Sequence, residues 1–274
     1  LPNFLEVNHL KVWDKSSGEV ILHDSSFKVN AESCLAVVGE SGSGKSVTCR
    51  AIMRLNKPWV SQSGEILLHG ENLSFLSDKE MRQKRGKTMY LIMQHGMSAF
   101  DPSTVVGVHL YETLKQHFGW NKHEAAGHMS IAMKSVMLKE PMEIMNKYPH
   151  QLSGGMLQRI MIALALVLEP DLIIADEPTT ALDTISQYEV LEQFLQLRER
   201  LGCSMIFVSH DLGMVRKLAD EVLVMKNGVI VEQGSTESIF TAAKHEYTRY
   251  LVSTKQTLND HFKSVMGGQG VAKR

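Results

Sequence analysis

The sequence predicts an α/β fold built around a phosphate-binding loop, with a mainly helical stretch inserted into its middle. Three observations predict it. Gly39-Glu40-Ser41-Gly42-Ser43-Gly44-Lys45-Ser46 fits G-x-x-x-x-G-K-[ST], follows the apolar strand Leu35 to Val38 and opens the helical segment Val47 to Leu55. Leu172-Ile173-Ile174-Ala175-Asp176-Glu177 reads as a buried strand that delivers two carboxylates at its end. Between them, residues 105–150 lose strand character and take helical spacing.

The chain of 274 residues is long enough for one large α/β domain, or for two lobes sharing a core. Lys plus Arg is 29 and Asp plus Glu is 30, a net charge of -1. That balance argues against a nucleic-acid footprint, which is normally basic, and equally against a polybasic membrane patch. The longest apolar run, Ile160 to Leu168, has nine residues. A bilayer needs about 20. No secretory signal is apparent at the start. If the chain serves a membrane, it must do so by docking on other subunits. Cys34, Cys49 and Cys203 lack metal-ligand spacing; Cys34 opens an apolar strand and Cys49 lies in a helix, and both read as buried small hydrophobes in a reducing cytosol.

Taken in order, Phe4 to Val12, Glu19 to Leu22, Phe27 to Val29 and Leu35 to Val38 are short apolar or β-branched runs bounded by Ser, Gly and Asn, and so are strands. In the Gly39–Ser46 loop, the glycines let the backbone curl so that successive N–H groups face phosphates. Lys45 adds a point charge, and the Ser46 hydroxyl is a hard oxygen ligand suited to Mg²⁺. Ser63 to Gly70 is another bounded strand, and Arg82, Lys84, Arg85 and Lys87 form a solvated basic face. Thr88 to Met93 is a buried strand with Gln94 at its end.

Val105 to Phe118 and His123 to Leu138 are helical, and Pro141 and Pro149 punctuate the chain beyond them. Eleven of the 16 methionines lie between Met81 and Met161, with Met129, Met133 and Met137 at i, i+4 and i+8 on one face. Thioethers at that spacing read as core filler; the sharper alternative is an adaptable groove for a partner's helix. His117, His123 and His128 do not share one helical face, and no Cys or carboxylate completes a metal set. Leu152-Ser153-Gly154-Gly155-Met156 opens an apolar helix with a polar Gly pair, leaving free N–H groups at the positive end of a helix dipole. Ser204 to Val208 is a further strand, followed by His210. Asn227-Gly228 is a two-residue hairpin signal, and the Gly-rich Gly267 to Arg274 is expected to be disordered.

Together, the Gly39–Ser46 loop, the Leu152–Met156 segment, the Leu172–Glu177 strand and Ala181-Leu182-Asp183 closely resemble the ABC ATPase family in order and spacing, over roughly residues 4–240. The resemblance implies a P-loop NTPase fold with an antiparallel β lobe and a helical subdomain inserted at about 95–158. The ATPase domain would span 1–254, leaving a tail at 255–274. It implies ATP and Mg²⁺ as cofactors. Gly39, Glu40, Ser41, Gly42, Ser43, Gly44, Lys45 and Ser46 would cradle the ATP phosphates. Trp13 is the candidate to stack on adenine. Gln94 matches the Q-loop glutamine, and Ser46, Gln94 and Asp176 would hold Mg²⁺. Glu177 would be the general base and His210 the switch histidine. Ser153, Gly154 and Gly155 match the signature, which caps the ATP held by a facing subunit, and Asp183 matches the D-loop. Met156 departs from the usual Gln and leaves the equality of the two composite sites open.

His245-Glu246-Tyr247-Thr248-Arg249-Tyr250-Leu251 resembles the His-Pro-Tyr-Thr segment of the peptide/nickel branch of importers, with Glu246 in place of Pro, and Met97 to Pro102 is similar to that branch too. The branch implies a second, different ATPase chain, two membrane permease subunits and an extracytoplasmic substrate-binding protein, with this chain at the cytoplasmic face of the membrane. Many peptide-importing members continue into a Cys-bearing C-terminal region that this sequence lacks. The expected cargo is therefore nickel or a related chelated metal, with short peptides as the alternative. A soluble member acting on nucleic acid or ribosomes is disfavoured by the single P-loop, the lack of heptads and the charge of -1.

Overall fold

The computed structural model describes residues 3–94, 96–180 and 182–254. The predicted tail at 255–274, with its Gly-rich end, lies outside the described residues. The chain begins with β1 (Asn3–Asp14), β2 (Val20–Asn30), β3 (Cys34–Val38) and α1 (Lys45–Ile52). Next come β4 (Val60–Leu68), β5 (Glu71–Asn72), α2 (Asp78–Lys84) and β6 (Met89–Ile92). A helical stretch is next: α3 (Val106–Phe118), α4 (Lys122–Ser135), α5 (Pro141–Met145) and α6 (Gly154–Leu168). The chain then returns to β7 (Leu172–Asp176), α7 (Thr184–Leu201), β8 (Ser204–Val208) and α8 (Leu212–Leu218). The hairpin β9 (Glu221–Lys226) and β10 (Val229–Ser235) precedes α9 (Thr236–Thr241), and residues 246–254 are helical.

Two sheets organise these elements. One is antiparallel, in the order β2-β1-β4-β5. The other runs β10-β9-β3-β8-β7-β6 and is parallel except for β10. The parallel strands are apolar at successive positions because both faces are covered. Leu172 and Ile174 of β7, with Ile206 and Val208 of β8, join a core with Cys49, Ala51 and Ile52 of α1 and the inner face of the antiparallel sheet. The alternate residues Ile173, Ala175, Met205 and Phe207 join a second core with α6 and α7. Each fully buried Leu, Ile or Phe contributes about 1.5–3 kcal/mol, so the sheet is fixed from both sides. Its parallel strands then deliver Gly39, Asp176 with Glu177, and Ser209 with His210 at one edge, the usual place for a ligand in such sheets.

Several local expectations change. The expected strands Glu19 to Leu22 and Phe27 to Val29 are parts of one strand, β2, which starts at Val20. The polar His23-Asp24-Ser25-Ser26 between them reads as a turn but forms an irregularity against β1, where His9 and Asp24 both have positive φ and His9 Nδ1 lies 2.7 Å from Asp24 Oδ1. Arg85 is not simply a solvated cation. Its guanidinium donates to the carbonyls of Met53 and Arg54 and satisfies the C-terminal end of α1. Met129 and Met133 are fully buried as core filler, but Met137 is not in their stripe. Helix α4 stops at Ser135, Met137 takes φ 62 and its side chain is 56% exposed.

The β9–β10 turn ties the two sheets together. Gly228 N–H donates to the Ser43 carbonyl at 3.0 Å and its own carbonyl accepts from His23 N–H at 2.9 Å. With φ 73, a Cβ at Gly228 would lie 2.1 Å from the Ile21 carbonyl oxygen. Gly228→Ala is expected to destabilise the domain by about 2 kcal/mol or more, a fall of roughly 5 °C or more in melting temperature. A thermal melt reads it directly.

Candidate active site

Strand β3 runs into Gly39, whose backbone cannot carry a side chain: a Cβ there would lie 2.2 Å from the Met225 carbonyl oxygen. The turn closes with Ser43 N–H donating to the Glu40 carbonyl at 3.2 Å, and α1 starts at Lys45 with no side-chain cap and no acidic residue in its first turn. The unpaired amides and positive dipole end of α1 are therefore presented to an anion. Lys45 is 5% exposed. Its amine donates to the carbonyls of Gly39 at 2.9 Å and Glu40 at 2.8 Å and lies 3.7 Å from Glu177 Oε1.

The two carboxylates at the end of β7 occupy different surroundings. Asp176 is 6% exposed, and Ser46 Oγ donates to its Oδ1 at 2.8 Å. Burial raises the Asp176 pKa above its ordinary range, against the opposing pull of the Ser46 hydrogen bond, Arg50 and Lys45. Glu177 has φ 46, in the left-handed region that favours glycine, and its N–H donates to the Val208 carbonyl at 3.1 Å. Its Oε2 accepts from Gln94 Nε2 at 3.2 Å and from Thr180 Oγ1 at 3.0 Å, with His210 Nδ1 at 3.6 Å. The structure thus brings Lys45, Ser46, Gln94, Asp176, Glu177 and His210 into one cluster. A phosphate cradle beside a carboxylate held by neutral and cationic donors is suited to transferring a phosphoryl group to water.

Comparison with known proteins decides the family. A family model described as ABC transporter matches residues 22–180. The metal-staphylopine import system ATP-binding protein CntD of Staphylococcus aureus is 48% identical over 264 residues, covering 96% of this chain and 97% of that protein. The oligopeptide transport ATP-binding protein OppD of Bacillus subtilis is 42% identical over 258 residues, covering 93% of this chain and 72% of that protein. Among solved structures, the dimeric post-hydrolysis ATP-binding cassette MJ0796 bound to ADP and Pi superposes with a TM-score of 0.75 at 25% identity, covering 85% of this chain and 98% of that one. This chain belongs to the ABC transporter family. Its activity is ATP hydrolysis coupled to transport, and its fold is the ABC ATPase fold expected from the sequence.

Within the ABC fold, the remaining predicted residues lie apart from that cluster. Ser153 caps α6 by accepting Met156 N–H at 3.2 Å, and Asp183 caps α7 by accepting from Ile185 and Ser186 N–H. The two caps are neighbours, since a Cβ on Gly155 would meet Ser186 at 3.6 Å. Ser153, Gly154 and Asp183 are exposed, and among the described residues no hydrogen bond of Ser153 or Asp183 reaches Gly39–Ser46. Trp13 is half-buried on β1, opposite Val20 and Ser61. Its hairpin reaches the phosphate loop through Leu22, whose Cδ2 would lie 2.5 Å from a Cβ on Gly44.

Three residues escape a reading of the sequence alone. Thr180 steadies Glu177. Gln158, buried in α6, donates to the carbonyls of Met93 at 3.0 Å and Pro178 at 2.6 Å, so it joins α6 to the approaches of both Gln94 and Glu177. The signal was present, because Gln158 is an uncharged amide within an otherwise apolar helical face. Tyr247 contacts the phosphate loop from the far end of the chain, a pairing that no local pattern announces.

The raised Asp176 pKa acts on stability with a definite sign. The folded state holds this proton more tightly than the unfolded chain, so ionised Asp176 costs stability at neutral pH, and the cost fades as pH falls toward the ordinary value of 3.8. Asp176→Asn should therefore melt at a higher temperature than wild type at pH 7, the gain shrinking on acidification, while ATP hydrolysis is lost. Melting curves between pH 4 and pH 7 with a phosphate-release assay check both halves.

Proposed function

We propose that this chain is an ATPase subunit of an importer for nickel or a related metal chelate, working at the cytoplasmic face of the membrane. The observation that carries the cargo is the 48% identity to CntD across nearly the whole of both chains, against 42% to OppD. Uptake of short peptides is the second reading, favoured by the OppD match and the His245–Leu251 segment. Residues 1–254 form the ATPase domain in this reading, with the helical subdomain at about 95–158.

Gly39, Glu40, Ser41, Gly42, Ser43, Gly44, Lys45 and Ser46 hold the ATP phosphates, and Trp13 offers its ring to the adenine. Glu177 is the general base, and its pairing with Gln94, Thr180 and His210 fixes where a water must sit to lose a proton. A positioned base is worth typically ~10²–10⁴-fold in rate. The donors Ser46 and Asp176 fit Mg²⁺: they are hard oxygens in contact, and Asp176 is a buried carboxylate whose charge is under-compensated by its neighbours. Gln94 adds an amide oxygen beside them. Bound there, Mg²⁺ would supply charge neutralisation on the outer phosphates. Ser153, Gly154 and Gly155 serve the ATP of a second ATPase chain, and Asp183 sits at the same interface; the exposure of Ser153, Gly154 and Asp183, with the dimeric neighbour, supports this.

No described helix is long and apolar enough to cross a membrane. The permease subunits instead meet a groove of about 610 Å³ beside Gln94, lined by Leu55, Met89, Met93, Phe100, His109 and Met161. Flexible thioethers suit a groove that must accept a helix. An extracytoplasmic binding protein completes the importer, and nucleic acid is not a partner.

Glu177→Gln should bind ATP with wild-type affinity and hydrolyse it at least about 10²-fold more slowly; wild-type turnover would remove Glu177 from the base role. Lys45→Ala should lose nucleotide binding. In cells whose only copy carries Lys45→Ala, accumulation of trace nickel, cobalt or zinc should fail while growth on short peptides continues. Failure of peptide use with normal metal accumulation would make this a peptide importer.

A further inference from the structure

We propose that Tyr247 is a positioning residue of the phosphate loop, holding the Gly39–Glu40 peptide through its phenolic oxygen. The inference rests on the reading of Gly39–Ser46 as the ATP site. Glu40 N–H donates to Tyr247 Oη at 3.0 Å, across 207 residues of sequence. The other end of Glu40 is gripped too, because its carbonyl accepts from Lys45 Nζ at 2.8 Å and from Ser43 N–H at 3.2 Å. Just before it, Gly39 is pressed against the Met225 carbonyl. The orientation of this peptide therefore sets where the Lys45 amine is held.

Tyr247 is itself fixed from several sides. Its ring is buried in a small core with Val38, Val215, Val224 and Ile239, and the Lys226 amine lies 4.8 Å from the ring centroid. Its N–H donates to His245 Nδ1 at 3.1 Å. The Glu232 carboxylate accepts from the N–H groups of Lys244 at 2.7 Å and His245 at 3.0 Å, which anchors the segment to β10. A phenol this constrained can hold an amide without following the fluctuations of a free side chain. Removing only its oxygen leaves the Glu40 N–H without its partner, so the peptide is held only from its carbonyl side by Lys45.

The test uses the full chain with Mg²⁺, equilibrium titration with fluorescent ATP and ADP, steady-state ATPase kinetics and thermal melting. Tyr247→Phe should weaken ATP and ADP by the same factor, about 3–10-fold, the loss expected for one hydrogen bond. KM for ATP should rise in parallel while kcat stays within about twofold, since the reacting carboxylate is untouched. Ile239→Ala loosens the same small core without touching the amide, and should lower the melting temperature with both affinities unchanged. Wild-type affinities in folded Tyr247→Phe would overturn the proposal. An equal loss of affinity in Ile239→Ala would also overturn it, by assigning the effect to packing. If Tyr247→Phe does not fold, Glu232→Ala releases the anchor and should weaken nucleotide binding in the same direction; unchanged binding there counts against the proposal. Lys45→Ala in the same titration keeps the two readings separate. Its loss of binding with a silent Tyr247→Phe defeats only the tyrosine, whereas normal binding in Lys45→Ala defeats the phosphate-loop reading itself.

Discussion

A lysine and an aspartate, both nearly inaccessible, sit at one edge of a sheet covered on both faces, and the surrounding structure is arranged around that fact. Buried charge is costly unless it is paired or hydrogen-bonded. Lys45 meets the cost with two loop carbonyls and the Glu177 carboxylate, and Asp176 meets part of it with the Ser46 hydroxyl. The loop carbonyls are available only because Gly39 lets the backbone approach Met225 so closely. Glu177 is available only because its backbone adopts φ 46, which swings its side chain to meet Gln94, Thr180 and His210. The apolar burial of β3, β7 and β8 supplies the rigidity that lets these polar groups stay in place.

How much of this was legible depends on how local each constraint is. The phosphate loop could be read because a strand, a curled backbone and a helix N-terminus must be contiguous to cradle phosphates. The Leu172–Glu177 strand could be read because a parallel strand buried on both faces is apolar until it reaches the edge. The Asn227-Gly228 hairpin was legible because its turn chemistry is local, while its role in tying His23 and Ser43 together was not. Contacts between distant segments leave no spacing to read. Arg85 looked like one cation in a basic run, yet it satisfies carbonyls 31 and 32 residues away. The segment at His23–Ser26 looked like a turn because its residues are turn formers, and only pairing with β1 shows that the strand continues through it. Met137 fell out of its stripe because α4 had already ended.

The helical subdomain shows the same division between local rule and distant contact. Its core takes Met129, Met133 and Met145, while Met97, Met137 and Met142 are exposed. Met89, Met93 and Met161, outside that stretch, line a surface groove although Met89 and Met161 are themselves largely buried in the core. Gln158 then spans the gap between subdomain and sheet, with one amide nitrogen shared between the carbonyls of Met93 and Pro178. α6 is thereby tied to the backbone just before Gln94 and just after Glu177. The link is made of hydrogen bonds to backbone and is separate from the Gly39–Ser46 loop.

That arrangement also explains why cargo is written so faintly in the sequence. In the proposed reading the groups around Glu177 deal with phosphates and water, which are the same whatever is transported. Ser153 and Asp183 are exposed helix caps, and in that reading they face another chain. The groove lined by Met89, Met93, Phe100 and Met161 also carries Arg82, Arg85 and Glu112. In the importer reading proposed above, cargo acts on this chain only through the partners it must fit. Similarity along the whole length, to CntD more than to OppD, consequently says more about cargo than any single residue of the site.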